Sequence, residues 1–87
     1  MNVENYKMSD VNGFKRVTFD ISTLGHDPFT VIVQGTDYGC TMWASYKGKQ
    51  VNDIDQLTLD LGYSDHEYEQ LDDFISGQSD AVHNFNH

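Results

Sequence analysis

Eighty-seven residues, 38% of them hydrophobic, are enough for one domain with a single modest core and too few for a second. Fourteen acids against five bases give a formal charge of −9 and a pI near 4.4, which argues against direct nucleic-acid binding, because neutralising phosphates takes clustered Lys or Arg. The single Cys40 excludes an internal disulfide, and neither a signal-peptide start nor an apolar run of about 18 residues is present, so a soluble cytosolic chain without membrane contact is expected.

Eleven aromatic residues offset the low hydrophobic share and point to a folded chain. Residues 1–12 show no steady period and read as an irregular lead-in closed by a turn at Asn12-Gly13. From Phe14 the pattern alternates, with Val17, Phe19 and Ile21 on one side, which predicts a half-buried strand over 14–21. The segment 22–28 gathers Ser, Gly, Asp and the only Pro and is a loop by turn chemistry. Phe29–Gln34 predicts a second strand, with Phe29, Val31 and Val33 inward and Ile32 on the other face. Residues 35–39 are a Gly-bounded hairpin connection of five residues. A third strand at 40–46 puts Cys40, Met42, Ala44 and Tyr46 on one side and Thr41, Trp43 and Ser45 on the other, and the turn Lys47-Gly48-Lys49 ends it.

The period then changes. Ile54, Leu57 and Leu61 predict a short helix over 53–61, with Asn52 or Asp53 as N-cap and Gly62 as the left-handed terminator. A rival reading takes 57–61 as a fourth strand. Ser64-Asp65-His66-Glu67 is a capping box that opens a helix over 65–76, with Tyr68, Leu71, Phe74 and Ile75 as its apolar stripe and Gly77 as its end. Residues 78–87 either add a helical turn, with Val82 and Phe85 packing down, or fray. The predicted fold is α+β, one two-layer domain: a three-stranded antiparallel meander followed by two C-terminal helices on one face.

All five bases (Lys7, Lys15, Arg16, Lys47 and Lys49) precede position 50 and are balanced there by five acids, so the last 38 residues hold the whole net charge. The run Asp53, Asp55, Asp60, Asp65, Glu67, Glu69, Asp72 and Asp73 contains no cation. Along a 65–76 helix of about 18 Å, five acids give one charge per about 3.6 Å, close to the roughly 3.4 Å spacing along one DNA strand. Asp65 and Glu67 gain from the helix dipole. Asp72 and Asp73 would lie near the C-terminal end, where the dipole disfavours them, and the pairs Asp65/Glu69, Glu69/Asp73 and Glu69/Asp72 repel by roughly 0.2–0.5 kcal/mol each. The competing account is a solvated face kept acidic for solubility.

The remaining signals are weaker. His26, His66, His83 and His87 match no metal-ligand spacing, although His83 and His87 would share a helix face, and the calcium-loop pattern fails at Asp53, Asp55 and Asp60, so no metal is expected. Cys40 reads as a small core residue, and no nucleophile elbow or phosphate-cradling glycine pattern is present. No cofactor and no catalytic activity are expected. Ile32 and Trp43 point away from the inward set, which requires either cover from the N-terminal segment, the expectation here, or an exposed patch for a partner.

A small, acidic, cytosolic domain of this kind resembles the phage- or mobile-element-encoded inhibitors that imitate nucleic acid, the anti-CRISPR and anti-restriction proteins. The likeness lies in size, charge asymmetry and the acid run at 53–73. It implies a monomeric or weakly dimeric inhibitor whose partner is a nucleic-acid-binding protein, a CRISPR effector or a restriction enzyme, with the acids at 53–73 occupying its basic channel. The alternative is a regulatory module that binds through the aromatic face of the sheet, its acids serving solubility alone.

Overall fold

A computed structural model describes residues 1–86, with side chains to His83. Five strands, β1 (Asn2–Val11), β2 (Phe14–Ser22), β3 (Phe29–Thr36), β4 (Gly39–Tyr46) and β5 (Lys49–Val51), precede two helices, α1 (Ile54–Asp60) and α2 (Asp65–Asn86). The strands form one antiparallel sheet in the order β1-β2-β3-β4-β5. The α+β class and the two layers stand, but the expected three-stranded meander is corrected to five strands.

The two additional strands flank the expected three, and each hid its signal for a physical reason. The segment 1–12 is no irregular lead-in. Asn5, at a φ of 54°, interrupts the β1–β2 register between Glu4 and Lys7 as a bulge. Val3 and Met8 both stand opposite inward residues, Ile21 and Val17, so the extra residue shifts the alternation by one. The Thr30 hydroxyl donates to Asp20 at 2.6 Å and the Asn5 side chain to the same carboxylate at 2.7 Å, which together hold the Asp20 carboxyl below its usual range. At the far edge, Lys47 and Gly48 have φ of 49° and 80°, the pairing of a two-residue hairpin turn, and β5 returns for three residues, too few to display a period. The 35–39 connection also shortens. Thr36 pairs with Gly39, leaving only Asp37 and Tyr38 as the turn.

The inward residues are those that the alternation picked. Val17, Phe19, Ile21, Val31, Val33 and Ala44 are at most 1% exposed, and they meet Ile54, Leu57, Leu71 and Ile75 from the helices in one cluster. Phe74 stands edge-on to Phe19 at 5.0 Å between centroids. On the opposite face no element covers Ile32 and Trp43 among the described residues. The N-terminal segment lies beside β2 as an edge strand, so the expected cover is absent. Arg16 instead lies 5.6 Å over the Trp43 ring and donates to Gln34 at 2.6 Å.

α1 forms with Asp53 as N-cap, its side chain accepting from the Gln56 amide at 3.0 Å, and the strand alternative for 57–61 falls. α2 does not end at Gly77. Gly77 lies inside the helix, exposed, with nothing within 4 Å of where a Cβ would stand. The helix continues because Val82, fully buried, extends the Leu71–Ile75 stripe by two more turns, and burying such a side chain contributes about 1.5–3 kcal/mol. Of the two readings of the tail, the packed one holds for Val82; the Phe85 side chain and His87 lie outside the described residues.

This placement separates two accounts of Gly77. In a helix interior, Gly77→Ala raises stability by about 1 kcal/mol, whereas at a left-handed terminator it would lower it. Val82→Ala should cost about 2 kcal/mol. Denaturant unfolding of both variants checks the pair.

Candidate partner-binding surface

The acids are arrayed by the joint between the two helices. α1 ends in a Schellman motif: the Tyr63 amide donates to Thr58 at 3.0 Å and the Gly62 amide to Leu59 at 3.1 Å. Gly62, at a φ of 86°, takes the left-handed turn that this geometry needs. Ser64 follows at once as the cap of α2. Its amide donates to Glu67 at 2.8 Å and its hydroxyl accepts from the Glu67 amide at 3.2 Å, which completes the capping box.

His26, from the loop between β2 and β3, locks this joint to the sheet. Its Nδ1 donates to the Leu61 carbonyl at 2.8 Å, its Nε2 lies 3.1 Å from the Glu67 carboxylate, and its ring packs on Tyr63 at 4.7 Å. Thr23 and Tyr63 share a further hydroxyl contact of 3.0 Å. His26 thus has a structural place that its loop position in the sequence did not reveal.

Seven of the eight predicted partner-binding acids are exposed: Asp53, Asp55, Asp60, Asp65, Glu69, Asp72 and Asp73. Glu67 is half-buried, its carboxylate committed to Ser64 and His26. The structure brings one subset together. Tyr68 donates to Asp55 across the two helices at 2.6 Å, and the phenol is pushed up to about 12, first by that hydrogen bond, then by burial and by the charges of Asp55, Asp72 and Asp53. Asp55 and Asp65 also line one cleft of about 290 Å³ with Thr58, Leu59, Tyr63 and Tyr68. Tyr68, expected in the apolar stripe, therefore serves as the bridge between the two acid sets. Asp60 stands apart, accepting from Gln56 at 2.9 Å.

Along α2, Asp65, Glu69, Asp72 and Asp73 fall within one arc of about 100° opposite the buried stripe, at about 100° per residue. Asp80 lies in the same arc, and extends the row to about 22 Å. Expecting the helix to stop at Gly77 left Asp80 out. The longer helix also withdraws one argument: Asp72 and Asp73 are mid-helix, so the C-terminal dipole does not act on them, and only their mutual repulsion remains. The five cations all sit on the sheet or its turns, with Lys15 paired to Asp10 and Lys47 to Asp27.

Among the described residues no three His, Cys, Asp or Glu side chains come close enough to hold a metal ion. No helix is long and apolar enough to cross a membrane. Cys40 packs against the core and donates to Ser79 at 3.4 Å. Comparison with protein-family models, curated proteins and solved structures finds no match.

The capping box sets a pH dependence. The Ser64 amide, then the Ser64 hydroxyl and His26, hold the Glu67 carboxyl below its usual range. The folded chain therefore binds that proton more weakly than the unfolded chain. The stabilisation is complete above about pH 4.5 and is lost as pH falls through the folded value. Glu67→Gln keeps the box but cannot titrate there. Its thermal midpoint should fall less steeply than the wild type's when pH is lowered from neutral into the acid range.

Proposed function

We propose that this chain is a non-enzymatic inhibitor of the anti-CRISPR or anti-restriction kind. In this reading the α1–α2 surface enters the basic channel of a nucleic-acid-binding protein and displaces its nucleic acid. The observation that carries it is a helical layer whose exposed carboxylates are gathered on one arc of α2 and which holds no Lys or Arg. Tyr68 of α2 donates to Asp55 of α1 at 2.6 Å, and Asp65, Glu69, Asp72, Asp73 and Asp80 share one arc of α2. Solubility alone asks for charge but not for convergence, since like charges held close cost stability. A basic channel with low-dielectric walls rewards that convergence.

A second reading rests on the uncovered sheet face, where Trp43 and Ile32 stand as cross-strand neighbours beneath Arg16. There the contact is aromatic and the acids only solubilise.

Two variants separate the readings once affinity purification has supplied a partner. Glu69→Gln combined with Asp72→Asn and Asp73→Asn removes three charges at nearly constant size and should leave stability equal or slightly higher. Its affinity should drop, wild-type binding should weaken steeply with salt, and the partner's own nucleic acid should compete. Wild-type affinity in this variant, together with loss of binding in Trp43→Ala, would replace the mimicry account with the sheet-face account.

A further inference from the structure

β1 is a ten-residue edge strand with β2 as its only neighbour among the described residues, so one side of its backbone is open to pair. Two of the six exposed large hydrophobics among the described residues are here, Tyr6 at 47% and Met8 at 37%, and a third, Met1, precedes the strand. Tyr6 and Met8 are on the helix side of the sheet, with Tyr6 stacked on Phe19 and donating to Gln78 of α2 at 2.6 Å. They form the unfinished margin of the core.

The charges of the same strand are also unfinished. Glu4 stands directly opposite Asp20, a like-charge pair that disfavours the hairpin. Asp20 is already held by Asn5 and Thr30. Among the described residues neither Glu4 nor Lys7 has an ion-pair partner.

We infer that β1 pairs antiparallel with β1 of a second copy, forming a two-fold dimer with a continuous ten-stranded sheet. The bulge dictates the register. Because it shifts side-chain alternation by one, residues before it match residues after it face for face. With the two bulges at the two-fold axis, Glu4 stands opposite Lys7 of the second copy, twice, on the outer face. Val3 stands opposite Met8 of the second copy on the helix side, and Asn2 opposite Ser9. Acid meets base at 4 and 7, apolar meets apolar at 3 and 8, and polar meets polar at 2 and 9. α2 lies over β2, β3 and β4, which leaves room above the joint for Tyr6 and Met8 of both copies. A bulge and a mid-strand Lys guard many edges against open-ended growth; here they admit the single closed pairing that satisfies both strands. This inference stands apart from the acidic surface, which faces away from β1.

Sedimentation equilibrium of the wild-type chain from micromolar to millimolar concentration, in about 0.15 M salt to screen the −9 charge on each copy, should give a monomer–dimer equilibrium between 9.9 kDa and twice that mass. Glu4→Lys and Lys7→Glu, each placing like charges opposite one another twice, should each raise the dimer Kd about tenfold. The combined swap Glu4→Lys/Lys7→Glu should restore it to within about threefold. Both sites are exposed, and unchanged circular dichroism and melting would show that the monomer fold is intact. A chain monomeric at every concentration overturns the inference, as does a dimer indifferent to either reversal or one that the swap fails to restore.

Discussion

The apolar face of the central strands needs a cover about as long as the sheet, and one helix supplies it. α2, at 22 residues, is about 33 Å long, and it lays Leu71, Ile75 and Val82 against Phe19, Val31 and Val33. Fixing that stripe fixes the rotation of the helix about its axis. The acids between the apolar positions then have no choice of direction: Asp65, Glu69, Asp72, Asp73 and Asp80 are held outward in one arc. The charge row is thus set by core packing, and a mutation that loosened Val82 would blur the row as well as the fold. The same constraint explains why repulsion along the helix is tolerated. Each like-charge pair costs only tenths of a kcal/mol, against kcal/mol for each buried aliphatic.

The joint between the helices adds what the stripe cannot. Gly62 turns the chain, Ser64 and Glu67 start α2, and His26 ties both to the sheet. Tyr68 can then reach Asp55 and bring the acids of α1 beside those of α2. Glu67 shows how one residue type divides its work. Its neighbours in sequence are surface charges, whereas its own carboxylate is a structural acceptor for Ser64 and His26.

Much of this was legible in residue order because it depends on local chemistry. The three inner strands, the Asp53 cap, the Gly62 terminator and the capping box at Ser64 all have short-range signatures, and they formed where those signatures stood. What was hidden depended on distant partners. The bulge at Asn5 erased the alternation of β1, although Asn12-Gly13 is itself a hairpin signal that, followed back, would have found the strand. β5 exists only because Ala44 and its neighbours offer an edge to Val51. Gly77 resembles a helix terminator until Val82 is known to be buried. The acids were visible in the sequence as a run, but the role of Tyr68, the separate duty of Glu67 and the inclusion of Asp80 follow from how the helices lie on the sheet.

The claim at the centre of this account is that the outward row of carboxylates is a contact surface. Carbodiimide labelling of carboxylates with mass-spectrometric readout, on the free chain and on its complex with an affinity-purified partner, tests it residue by residue. The account predicts protection of Asp55, Asp65, Glu69, Asp72, Asp73 and Asp80 in the complex, with Asp10 on β1 and Asp37 in the β3–β4 turn labelled as before. Unchanged labelling of the α2 row in a saturated complex, or protection confined to the strand carboxylates, would contradict it.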